Sequence, residues 1–167
     1  MPSAVLCWAS SNTILPARSA QSTDRSRSGP SSALTYAFSA IIRAWRGDDA
    51  DAVAHAETAL RHSPYDPLSW LPCVGLAYTH FFSGRFEDAL GAAVRALRGN
   101  PRFSVPAFLQ TASLARLGHD TEAVAAGRHL LELQPGFTIA SLVDSAFTSP
   151  ERVAMLAEAL RKAGLPE

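Results

Sequence analysis

From Leu34 to the C-terminus, apolar residues recur three and four positions apart, the spacing that gathers them on one face of a helix. The pattern is broken at Gly47, Gly84 and Gly118, and each of these stands 17 residues before a proline, Pro64, Pro101 or Pro135. The segments between align without gaps: GDDADAVAHAETALRHSP, GRFEDALGAAVRALRGNP and GHDTEAVAAGRHLLELQP. One column holds Ala52, Ala89 and Ala123, followed by Val53, Leu90 and Val124; a later one holds Ala59, Ala96 and Leu130, each followed by leucine. The period predicts three pairs of helices. A first helix ends at the glycine, which turns the chain without steric cost. A second begins with acids in its opening turn (Asp48, Asp49 and Asp51; Glu87 and Asp88; Asp120 and Glu122), where the helix dipole favours them. Small alanines let the paired helices approach, and the proline stops the second helix.

After Pro135 the spacing predicts a short helix over 138–147. Ser149-Pro150-Glu151 then reads as an N-cap followed by proline at the first helical position. That last helix carries an apolar stripe, Val153, Leu156, Ala157 and Leu160, has Arg161 and Lys162 in its final turn, and stops at Gly164. The expected organisation is an all-α helical solenoid. Its repeats occupy about 34–66, 70–103 and 104–137, and 138–167 forms a capping pair with a wetter outer face. Residues 1–33 differ: they are rich in Ser, with a short apolar patch from Ala4 to Ala9, and read as a disordered extension, with a targeting peptide as the lesser reading.

Composition narrows the function. Fifteen basic and fifteen acidic residues cancel, with no long run of either sign, which argues against nucleic acid as a partner. Cys7 and Cys73 are far apart and fit neither a disulfide framework nor a zinc site, so a reducing cytoplasm is expected. No apolar run has the length that spans a bilayer.

The glycine steps are 37 and then 34 residues, and 34 is the tetratricopeptide period. Tyr36 meets that family's early aromatic in the first repeat, where Cys73 and Ala107 stand in the others, and Leu76-Ala77 matches its Leu-small pair. SPYDP, AYTHFFSGRFEDAL, NPRF, LLELQPGF and LRKAGLPE together resemble the tetratricopeptide tail of bacterial class III adenylate cyclases and related signalling proteins, over about 34–167, and the resemblance implies that the solenoid is right-handed. In those proteins the tail follows a catalytic or DNA-binding domain. The residues before Leu34 are too few for a cyclase domain and lack its paired aspartates, so the resemblance implies a regulatory or scaffolding module and not an enzyme.

The candidate chemistry agrees with a non-enzyme. His55 and His62 lie seven apart without a third donor at close spacing, fewer than a metal site needs. His80, beside Phe81 and Phe82, reads as a packed residue, and His119 and His129 as surface. Asp48, Asp49 and Asp51 lack the spacing of a calcium loop. No nucleophile elbow or phosphate loop appears, and no cofactor is expected. By the resemblance, the first helix of each pair lines a concave groove. That places Ile41 with Ala37 and Ala44, then Val74, Tyr78 and Phe81, then Phe108 and Ala112 with Ala115, and at the edges Trp45, Phe82 and Arg116. Where chaperone-tail binders of the family carry Lys, Asn and Arg, these positions are apolar. The expected function is a scaffold binding a protein or peptide partner in an apolar groove; any single aromatic of this set is more often core than ligand contact, and Tyr78 and Phe108 are partly exposed only if they face the groove. The alternatives are a detached regulatory tail of a cyclase or transcription regulator, and self-association that fills the groove with a second copy.

Overall fold

The computed structural model describes residues 30–62, 65–145 and 148–167, and among them the chain is all-α, with eight helices and no strand. They are α1 (Pro30–Arg46), α2 (Asp49–His62), α3 (Trp70–Phe82), α4 (Phe86–Gly99), α5 (Ser104–Leu117), α6 (Asp120–Leu133), α7 (Ile139–Ser145) and α8 (Pro150–Lys162). Of the extension expected at 1–33, residues 1–29 lie outside the described residues; the remainder is helical. The first helix thus starts at Pro30, not Leu34. Proline's fixed φ suits the first helical position, and its missing N–H would have had no partner there. Residues 146 and 147, the end of the expected seventh helix, also lie outside the described residues.

The helix ends are built as the glycine pattern requires. Gly47, Gly84, Gly118 and Gly164 all have positive φ, between 75° and 90°. After each one, the next residue's N–H donates to the carbonyl five positions back: Asp48 to Arg43, Arg85 to His80, His119 to Leu114 and Leu165 to Leu160, at 2.9–3.2 Å. One closing hydrogen bond therefore ends four helices. Pro72 and Pro106, 34 residues apart, occupy the same place in the first turns of α3 and α5, where no intrahelical N–H bond is lost.

Packing follows the pairs. α1 packs on α2, α3 on α4 and α5 on α6; α3 also packs on α1 and α2, and α5 on α3 and α4. α3 and α5 accordingly bury almost their whole circumference, whereas α2, α4 and α6 bury a narrow stripe of mostly alanine. The repeat columns are that stripe: Ala52, Ala89, Ala123, Ala59, Ala96 and Leu130 are all buried. Close approach is also set by two glycines. A Cβ on Gly75 would lie 3.2 Å from the Ala40 backbone, and one on Gly99 would lie 2.6 Å from the Cβ of Trp70. Gly91 differs, being an exposed mid-helix glycine with open space around it. Gly91→Ala should therefore raise stability by about 0.5–1 kcal/mol, through backbone entropy alone, as a later urea midpoint. An unchanged or earlier midpoint would mean that α4 is packed on that side.

Candidate partner-binding site

An aromatic chain runs across the helices expected to line the groove. Trp45 at the end of α1 meets Tyr78 of α3 edge-on with ring centroids 6.1 Å apart, Tyr78 meets Phe108 of α5 at 6.1 Å, and Phe108 stacks on Phe137 at 6.2 Å. Phe82 stacks beside Tyr78 at 6.0 Å. Phe81 turns the other way, toward Phe86 of α4 at 5.4 Å. Burial pushes the Tyr78 hydroxyl well above the ordinary tyrosine range, and a side-chain hydrogen bond with Trp45 acts against that shift.

Of the two readings, groove or core, the rings take the second. Ile41, Val74, Tyr78, Phe81, Phe108 and Ala112 are all buried; Tyr78 is 8% and Phe108 1% exposed. Trp45 is partly buried, and only Arg116 of the expected set lies open at the surface. The neighbouring repeat helices enclose α3 on four sides, and over α5 the chain's own later residues add cover. Phe137 covers Phe108, and Leu156, Ala157, Ala159 and Leu160 of α8 join the same core. Sequence reasoning placed these residues together but did not foresee what lies over them.

α8 packs against α5 and α7, and its side chains reach further. Arg152 holds Asp49 with two hydrogen bonds, 2.7 and 3.2 Å, donates to the Ala44 carbonyl at 3.0 Å, and sets its guanidinium 4.8 Å from the centre of the Phe82 ring. It thereby ties α8 to α1, α2 and α3. At the other end Lys162, the chain's only lysine, donates to the Ala115 carbonyl at 2.9 Å and lies 3.4 Å from Asp120. Between them Glu158 approaches Arg116 at 3.6 Å, while Arg116 sits 5.2 Å from the centre of the Phe86 ring. The C-terminal segment is fastened as well: the Pro166 carbonyl accepts from the Ile139 N–H at 2.8 Å, and Leu165 packs near Gly127 of α6.

Both cations address helix C-termini. Ala44 and Ala115 lie in the last turns of α1 and α5, where the dipole favours positive charge; the Ala115 carbonyl also accepts from the Gly118 N–H at 3.3 Å. The ends differ in exposure. The Arg152 side chain is 20% and Asp49 30% exposed, against 52% for Lys162 and 69% for Asp120. Solvent screens the second pair far more. Arg152→Ala should therefore cost about 1–3 kcal/mol, since it leaves a half-buried carboxylate and a carbonyl without their donor. Lys162→Ala should cost less than about 1 kcal/mol. Urea midpoints of the two variants give the order directly; equal losses would mean that the Arg152 fork contributes no more than a surface pair.

The histidines serve other ends. His55 Nδ1 and Ser39 Oγ are 2.9 Å apart, and both His55 and His62 lie against the Tyr36 ring. His119 and His129 are exposed. Among the described residues no group of three His, Cys, Asp or Glu side chains could hold a metal ion, and Cys73 is a buried free thiol that burial pushes up in pKa. His80 has a buried Nδ1 without a hydrogen-bond partner, and burial, with Arg85 adding to it, lowers its pKa below 6.5. A lowered histidine pKa means that the unfolded chain binds more protons, so stability should fall as the pH drops through 6.5. Replacing His80 by Gln should flatten that part of the profile, read as urea midpoints at pH 7.5 and pH 5. The same slope in the variant would assign the effect to other groups.

No helix among the described residues is long and apolar enough to cross a membrane. No protein-family model matches the chain, and no curated protein matches its sequence.

Proposed function

We propose that this chain is a tetratricopeptide-like helical-repeat scaffold that acts by binding a helical segment of a partner protein, and not by catalysis. The observation that carries the reading is the seat of α8. An amphipathic helix lies on the surface made by the C-terminal ends of α1, α3 and α5, its leucines in the common core and its cations on two helix termini. A surface that accommodates one such helix has the shape and chemistry of helix-in-groove recognition. The gap-free repeat, with its alanine columns buried, supports a right-handed solenoid with that surface as its concave side.

The test is directional. A photo-crosslinking residue is placed at Trp45 or Arg116, on the rim of this surface, and for comparison at Arg95, exposed on α4. Partner crosslinks in cell extract should form from the two rim positions and not from Arg95. Crosslinks of equal yield from both sides, or from neither, would defeat the reading.

A further inference from the structure

We propose that α8 is a removable occupant of this site, and that the external ligand is an amphipathic helix carrying two cations about ten residues apart. The inference rests on the binding reading above and supplies its ligand chemistry.

The two anchors of α8 are one anchor used twice. Ala44 stands three residues before Gly47 and Asp49 two after it; Ala115 and Asp120 stand in the same places around Gly118. Arg152 takes the carbonyl and carboxylate of the first set, Lys162 those of the third. The repeat thus presents the same acceptor pair at both ends of the site. A helix spans them with cations ten residues apart, about 15 Å along its axis. In the middle segment Phe86 stands where the other two carry aspartate, so the carboxylate of the pair is missing there, and Leu156 and Leu160 of α8 enter the common core between the two cations. The ligand therefore reads cation, apolar stripe, cation. Helix-terminal carbonyls and carboxylates accept from any donor of that spacing, and none of these contacts depends on the donor belonging to the same chain.

The hold on α8 is weaker than that on its neighbours. α3 is packed by α1, α2, α4 and α5, whereas α8 packs against α5 and α7 and reaches the first pair through one arginine. Its distal ion pair is more than half exposed. An element held this way opens at lower free energy than the core beneath it, so a competing helix has access to the seat.

The experiment uses the full chain and a fluorescent synthetic peptide of sequence 149–167. Hydrogen exchange on the unmodified chain should show α8 amides exchanging ahead of those in α3 and α5, and faster in raised salt. By anisotropy, a chain carrying both Arg152→Ala and Lys162→Ala should bind the peptide roughly tenfold or more tightly than the unmodified chain, because its own α8 competes less well. A peptide with both cations replaced by alanine should lose at least that factor on the variant chain. Amides in α8 that exchange no earlier than those of α5 would overturn the proposal by themselves, whether or not the variant chain folds. So would a folded variant that binds both peptides equally. If the proposal fails while crosslinks from Trp45 and Arg116 persist, the site takes a partner of different chemistry. Loss of those crosslinks would be the failure of the binding reading itself.

Discussion

Phe108→Ala is expected to lower stability by about 3–5 kcal/mol, the usual cost of truncating a buried phenylalanine. The ring is 1% exposed and lies between Tyr78 and Phe137, so three helical segments lose a shared contact at once. A domain of this size has about 5–15 kcal/mol in total, so much of the fold should be lost on mild heating. Tyr78→Ala should act in the same direction, because the ring contacts Trp45, Phe82 and Phe108. A thermal melt of each variant decides the matter. A near-native melt for Phe108→Ala would place the ring at a surface, against its burial here.

Gly99→Ala should also be destabilising, by about 1–3 kcal/mol, even though alanine is the better helix former by about 1 kcal/mol. The new Cβ would lie 2.6 Å from the Cβ of Trp70, an atom fixed to the α3 backbone that cannot swing aside. Trp70 in turn packs edge-on against Phe103 with centroids 5.2 Å apart, so a displacement there carries into the turn before α5. Gly91→Ala, in the same helix but facing open space, is the control of opposite sign. Urea melts of the pair separate the two effects. If both substitutions stabilise, α3 and α4 are free to move apart and the close approach is not a constraint.

The helix pairs were legible because their signals are local. A glycine that must take positive φ, a proline that cannot continue a helix, and acids that suit a helix N-terminus each act within a turn or so of where they stand. Repeated three times, they fixed the element ends to within a few residues. The alanine columns declared the buried face of α2, α4 and α6 for the same reason: helical period is a property of the segment. The exception is Pro30, which signals the start of α1 but lies in a Ser-rich stretch whose composition pointed the other way.

Burial of the groove residues was decided elsewhere. Which side of α3 would be wet depended on how the pairs stacked on it, and for α5 also on where α8 came to rest, whose stripe of Leu156, Ala157 and Leu160 matches any apolar surface of suitable width. The deciding contacts, Arg152 to Ala44 and Asp49, join residues more than a hundred positions apart. Such pairings leave no period in the sequence. Asp49 and Asp120 were visible as first-turn acids, which their helices explain without a partner. The helices, their ends and the faces that had to be buried could be read along the chain, because they follow from backbone sterics and spacing. That the last helix lies across the ends of α1, α3 and α5 was settled by packing in three dimensions, because hydrophobic burial is non-directional and the two cations find their acceptors only when the first and third pairs stand on either side of the second.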